Sequence, residues 1–237
     1  MSGSYRQHDY AAGNALLCRW VFDQGADTAP VTVVPDACVD LLWDGVRLSI
    51  AGPDRTAQQA RLAAGTRLQG LRFAPAVASR WLGMPLQALA DQRVDLRDLG
   101  IPHVARVADR MAAHAPDAAM RWLADHLLAG ERYRDDAMQY VHARLSTTQA
   151  PSIRQLADDV GMTERTLLRR CEDAFGYGPK RLARILRLQR FLGCRRRHGT
   201  LLDAALEAGY YDAAQLSGDV RKLTGMTPTR LVAQLAD

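Results

Sequence analysis

The chain repeats itself between residues 153 and 228, and the repeat leaves few folds open to that half of the molecule. Ile153, Leu156, Ala157, Val160 and Gly161 recur 48 residues on as Leu201, Ala204, Ala205, Ala208 and Gly209. Leu167, Cys171, Gly176 and Pro179 recur 49 residues on as Leu216, Val220, Gly225 and Pro228, so one residue has been gained in the turn. Each copy spells a short helix, a glycine turn, a second helix, then a glycine stop and a proline restart. That is the pattern of a helix-turn-helix, present twice.

Helix start signals punctuate the same stretch. Ser152 with Gln155 and Thr200 with Asp203 have capping-box spacing, Thr163, Asp212 and Thr227 can cap the helices that follow them, and Pro179 and Pro228 suit a first helical turn. About seven helices are expected in the last hundred or so residues.

The second helix of the first copy sets Leu167, Leu168, Cys171, Ala174 and Phe175 on one side. Arg165 and Arg169, four apart, project from the other with Thr166 beside them. Such a helix fits the major groove, where arginine can give two hydrogen bonds to guanine O6 and N7. On a lone amphipathic helix those arginines would read as solvated; within a duplicated helix-turn-helix the DNA reading is preferred. The second copy has Ala214, Gly218 and Asp219 where the first has Arg165, Arg169 and Arg170. It keeps Gln215 as a hydrogen-bonding side chain, with Arg221 and Lys222 further along for phosphates, which position a protein without specifying sequence. Between the copies, "PKRLARILRLQRFLGCRRR" reads as a long joining helix, with Leu182, Ile185, Leu186, Gln189 and Leu192 near one face and its arginines largely elsewhere on a solvated surface.

Charge divides the chain. Residues 1–130 hold 13 arginines and 13 aspartates, whereas residues 131–237 hold 18 basic against 13 acidic residues, so the whole net charge of +5 lies in the second part. A basic part joined to a neutral one points to contact with a polyanion through the former. The polar segment "LAGERYRDDA" separates the two regimes, so two domains are expected, 1–130 and 131–237, with the boundary near residues 130–136.

The first part reads as β-rich. Strand-forming runs occupy residues 15–22, 31–34 and 67–73, and "CVDLLWDGVRLSIAG" reads as two strands around Asp44-Gly45, a pair suited to a tight turn with both central residues at positive φ. From Pro75 to about residue 129 the spacing becomes helical and forms a connector. The fold class expected for the whole chain is α+β.

Catalytic raw material is thin. Cysteines 18, 38, 171 and 194 lack metal-ligand spacing and read as packed thiols, so no metal or cofactor is expected. Cys38, beside "VDLLW", reads as a buried strand residue rather than a nucleophile; His8 with Asp9 has no diagnostic spacing, and "AGPD" at residues 51–54 reads as a turn. Trp20, Trp43, Trp81 and Trp122 read as packing before they read as a ligand cavity. No apolar run reaches the eighteen or so residues of a membrane span, and the N-terminus lacks a secretory pattern, so a cytoplasmic location is expected.

Residues 137–236, through "SIRQLADDVGMTERTLLRRCEDAFGYGPKRLARILRLQR" and "LLDAALEAGYYDAAQLSGDVRKLTGMTP", resemble the AraC-type transcription regulators. The resemblance implies two helix-turn-helix units joined by a long helix and bound to double-stranded DNA. It places Arg165, Leu168 and Arg169 at groove-facing positions of the first reading helix, residues 163–173. Ala213, Ala214, Gln215 and Gly218 take those places in the second, residues 212–223. The family often has a basic residue at 218 and an aromatic one at 220; this chain has Gly218 and Val220. Residues 30–100 look similar to a poorly characterised domain found ahead of AraC-type regions.

The DNA-binding residues expected are therefore Thr163, Arg165, Thr166, Leu168, Arg169, Arg170, Gln215, Arg221 and Lys222. Three classes of function compete. The leading one is a regulator whose first domain senses a small molecule or pairs two copies of the chain. A sequence-tolerant architectural DNA binder is favoured by the stripped second helix. A DNA-repair enzyme fused to an AraC-type half needs a zinc-binding cysteine cluster, and the first half offers only Cys18 and Cys38.

Overall fold

The strand-forming runs of the first part assemble into an antiparallel sheet in the computed structural model, which describes residues 3–26, 30–129 and 133–235. The strands are β1 (Gly3–Asp9), β2 (Leu16–Gln24), β3 (Val31–Val33), β4 (Asp40–Trp43), β5 (Leu48–Ala51), β6 (Gln58–Ala60), β7 (Arg67–Phe73) and β8 (Arg93–Asp95). Six of them form one sheet in the order β1-β2-β7-β4-β5-β8, and β3 pairs with β6 apart from it. Leu41 and Leu71 lie opposite one another in register. With them in one core are Trp81 of α1 (Val77–Leu82), Val104 and Met111 of α2 (Pro102–Ala112), and Met120 and Leu123 of α3 (Pro116–Leu128). Gly70 is required where β7 passes β2: a Cβ there would fall 2.0 Å from the Trp20 ring.

Three strands were not legible as such. β1 is exposed along nearly its whole length and lacks an apolar alternation; it is held by pairing with β2 from Gly3↔Gln24 to Asp9↔Cys18. β6 and β8 are three residues each and owe their conformation to their neighbours. The turn at Asp44-Gly45 also departs from expectation. Only Gly45 has positive φ, and the Asp44 carboxylate closes a longer loop by accepting the Val46 and Arg47 N–H groups at 2.8 and 2.7 Å.

Seven helices follow: α4 (Asp136–Leu145), α5 (Ile153–Asp159), α6 (Glu164–Phe175), α7 (Pro179–Cys194), α8 (Leu201–Glu207), α9 (Ala213–Thr224) and α10 (Pro228–Gln234). Ser152, Thr163, Thr200, Asp212 and Thr227 each accept a backbone N–H three residues on, as their spacing predicts. A second core runs from Met138 through Leu167, Phe175, Leu188 and Phe191 to Leu216 and Leu231. Residues 130–132, at the expected domain boundary, lie outside the described residues; just beyond them Asp135 caps α4.

The two cores meet. Ala76 belongs to the second core although it precedes α1, and it takes a positive φ of 63° to do so, as does Ala37 at 64°. Gln189 of α7 donates to the Pro35 carbonyl at 2.7 Å, and the Ala57 N–H donates to Leu223 O of α9 at 2.7 Å. Gly176 caps α6 with φ 80° against the first domain, and a Cβ there would lie 2.4 Å from Pro53 Cγ. Cys38 is in this junction, in a loop rather than the strand expected, and burial together with the nearby Asp36 carboxylate raises its thiol pKa well above the ordinary value.

Candidate nucleic-acid interface

Helix α6 is fixed from behind and open in front. Leu167, Cys171, Ala174 and Phe175 are buried. Arg165 and Arg169 are exposed, and neither has an ion-pair partner among the described residues. Leu168 departs from the side predicted by its spacing: it is 44% exposed, one turn from Arg165 and next to Arg169, and so belongs to the open face. Thr163 spends its hydroxyl as the helix cap, accepting the Thr166 N–H at 3.1 Å with the Thr166 hydroxyl 3.0 Å away. Arg170 points elsewhere. Its Nη2 donates to both Asp135 carboxylate oxygens, at 3.0 and 2.8 Å, and Arg80 of α1 approaches the same carboxylate at 3.6 Å. Asp135 is buried, so Arg170 serves to seat α6 against the α4 cap and the first domain.

Helix α9 repeats the frame with different contents. Leu216, Val220 and Leu223 are buried; Ala213, Ala214, Gln215, Arg221 and Lys222 are exposed. Gln215 completes a reciprocal cap. Its N–H donates to Asp212 Oδ1 at 2.7 Å and its side-chain oxygen accepts the Tyr211 N–H at 2.9 Å. Its amide NH2 is free to donate to another acceptor. Tyr211, in the turn before α9, is 86% exposed.

The joining helix α7 is less solvated than its arginines suggested. Arg184 Nε lies 2.9 Å from Asp219 Oδ1, Arg187 donates to Asp219 Oδ2 at 2.7 Å, and Arg190 donates to the Ala208 and Leu145 carbonyls. Leu188 and Phe191, outside the expected apolar face, are fully buried. Of the Arg195–Arg197 run, Arg197 is paired with Glu207, Arg195 contacts the Leu235 carbonyl, and Arg196 is exposed.

Residues 156–234 match the family model of a helix-turn-helix domain. This segment is an AraC-type helix-turn-helix domain. Residues 14–95 match a domain of unknown function, DUF6597. Among solved structures, ToxT from Vibrio cholerae O395 bound to (E)-4-(8-methylnaphthalen-1-yl)but-3-enoic acid is similar over 99% of this chain and 100% of its own, at 9% identity and a TM-score of 0.50. The C-terminal domain of AraT, a response regulator from Geobacillus stearothermophilus, covers 41% of this chain and 81% of its own, at 17% identity and TM-score 0.36. A DNA-binding transcriptional dual regulator from Escherichia coli K-12 covers 41% and 97%, at 21% identity and TM-score 0.34. No curated protein matches the chain.

An AraC-type domain makes the chain a DNA-binding transcription regulator. Within it, residues beyond those expected converge on the open face of α6. Lys180 and Arg181 of α7, and Arg55 and Gln87 of the first domain, line a cleft with Arg165 and Leu168. The basic pair after the Gly178-Pro179 restart was visible in the sequence; Arg55 was not, because only tertiary packing brings it there. Among the described residues, no group of His, Cys, Asp or Glu has the arrangement of a metal site, and no helix is long and apolar enough to cross a membrane.

Proposed function

We propose that the chain is a sequence-specific regulator in which α6 reads bases and α9 chiefly seats the protein on the DNA backbone. The division into domains 1–130 and 131–237 is part of the proposal, the second carrying the base contacts. The observation behind it is the contrast between exposed, unpaired Arg165 and Arg169 on α6 and Ala214 and Gly218 at the matching places of α9. Thr163, Thr166 and Arg170 act as a cap and as internal anchors, leaving Arg165, Leu168 and Arg169 as the base-facing set. Arg221 and Lys222, near the C-terminal end of α9, serve as phosphate contacts.

The first domain acts as the sensor, with the domain junction as its output. A cavity of about 140 Å³ lies there, lined by Asp36, Cys38 and Ala76 from one side and His142, Ala174 and Phe175 from the other. A molecule filling it would touch both domains, and a protein of similar fold, ToxT, was solved with a small aryl-alkenoic acid bound.

Arg169→Ala tests the base-reading role. The expected loss is about 1–3 kcal/mol on a selected site, the scale of one bidentate base contact, with little change on random DNA. Equal losses on both would make Arg169 a phosphate contact, and no preference of the wild type for any site would leave the architectural reading in its place.

A further inference from the structure

Residues 53–57, which begin in the turn expected at 51–54, form a bracket between the domains. Pro53 packs on Gly176 at the C-terminal cap of α6, and the Ala57 N–H donates to Leu223 O in the last turn of α9. One short loop thus touches the ends of both reading helices. Between these pins, buried Asp54 is held by two hydrogen bonds from Arg93 at 3.0 and 2.8 Å, and the Arg55 N–H donates to Asp91 Oδ1 at 2.6 Å. The backbone that carries Arg55 is therefore fixed.

The Arg55 side chain lines a cleft of about 670 Å³ shared by the two domains. Arg165 and Leu168 of α6 and Lys180 and Arg181 of α7 line the other side. Four cations meet there against two carboxylates, Glu164 and Glu172. Arg165, Lys180 and Arg181 have no ion-pair partner among the described residues, and Arg55 has only a long one, 3.5 Å from Asp91. Lys180 and Arg181 stand in the first turn of the 16-residue α7, whose cap, Gly178, offers no side-chain acceptor. With four positive groups from two helices and a second domain against two carboxylates, the cleft keeps an excess of positive charge, which favours an anion there. Because Arg165 and Leu168 belong to the open face of α6, an anion held here lies beside the groove that α6 enters.

We propose that Arg55 is a DNA-backbone contact supplied by the first domain, completing with Lys180 and Arg181 a phosphate site beside the reading helix. The inference rests on the DNA-binding reading above. It makes the first domain part of the DNA-binding surface, in addition to any sensing role. Phosphate recognition carries no sequence information, so a random-sequence duplex is a sufficient probe.

The test is the salt dependence of binding of the full chain to that duplex. Losing one phosphate contact lowers the slope of log K against log salt by about 0.9, so Arg55→Gln is expected to flatten it by that amount while Arg55→Lys retains it. If Arg55→Gln does not fold, Arg181→Gln, on the opposite wall, should give the same decrement. An unchanged slope in a folded Arg55→Gln or Arg181→Gln protein that still binds overturns the proposal. So does inorganic phosphate binding to the DNA-free protein that needs Arg55 while the slope stays fixed, since the cleft would then serve a small anion. Absence of duplex binding by the wild type would instead overturn the DNA-binding reading and this inference together.

Discussion

The two helix-turn-helix units share a backbone plan and solve the same internal problem with opposite charges. Position 170 in the first unit corresponds to 219 in the second, and both face inward. Arg170 is neutralised by buried Asp135, which also meets Arg80 of the first domain; Asp219 is neutralised by Arg184 and Arg187 of the joining helix. The first unit is thereby tied outward, to the α4 cap and the first domain, and the second is tied to α7. The absence of an arginine at 219 is thus no lost DNA contact, because the equivalent arginine at 170 faces the interior too. What separates the two as readers lies chiefly in Arg165 and Arg169 against Ala214 and Gly218, with Leu168 against Ser217 between them.

The sharpest way to break this comparison is to remove the charge that ties the second unit to α7. Asp219 is buried, while Arg184 and Arg187 keep a third and a quarter of their side chains exposed. Asp219→Ala is therefore expected to cost about 2–3 kcal/mol of stability, below the range for a fully buried pair because water still reaches the two guanidinium groups. Chemical denaturation of the full chain measures it. A loss under about 0.5 kcal/mol, the scale of an ordinary surface substitution, would mean that the apolar stripe alone seats α9.

Acid should strain the first unit through a group behind it. His142 of α4 lines the junction cavity with its ring 6.0 Å from Phe175, and burial lowers its pKa to about 4. The unfolded chain takes up this proton near pH 6.5 and the folded chain only near pH 4, so stability is full above pH 6.5 and falls as pH drops through that window. The contribution is on the order of 1–2 kcal/mol, reduced from the full shift because the ring is not wholly shielded. His142→Phe should show a correspondingly smaller loss between pH 7 and pH 4.5. Identical pH profiles for variant and wild type would remove His142 from the account.

The contrast between units also marks how far the sequence could be read. Helix number and caps were legible because they depend on local chemistry: Ser152, Thr163, Thr200, Asp212 and Thr227 satisfy N–H groups three residues away. Arg165 and Arg169 were legible as exposed because the apolar stripe opposite fixes the helix's rotation. Spacing alone put Leu168 on the wrong side, since it sits at the border of that stripe, where a small rotation decides between core and surface; the AraC resemblance placed it toward the groove, and it is exposed. The partners of Arg170, Arg184, Arg187 and Arg190 lie 18 to 45 residues away, too far for periodicity to reveal them. β1 was missed for a related reason, since its conformation comes from β2 rather than from its own alternation.

The finest test concerns Gly218, which stands where the first unit has Arg169. Glycine costs about 1 kcal/mol relative to alanine in a helix interior, so its presence in α9 invites a packing explanation. None is found: a Cβ built at Gly218 meets no heavy atom within 4 Å, and the residue is half-buried without close backbone approach from elsewhere in the described structure. Nothing in the fold therefore opposes a Cβ at this position. Gly218→Arg is expected to raise stability by up to about 1 kcal/mol, because arginine is among the better helix formers. It should also tighten DNA binding and make it more salt-dependent if the guanidinium reaches a phosphate, or add a guanine preference if it reaches a base edge. Substituting each base pair of a footprinted site, for wild type and variant, separates these outcomes. The wild type should discriminate in the half covered by α6, with small effects in the half covered by α9, where the Gln215 oxygen already accepts the Tyr211 N–H. Equal discrimination in both halves of the wild-type site would defeat the unequal division of labour, and a Gly218→Arg protein with unchanged affinity and salt slope would show that position 218 does not face DNA at all.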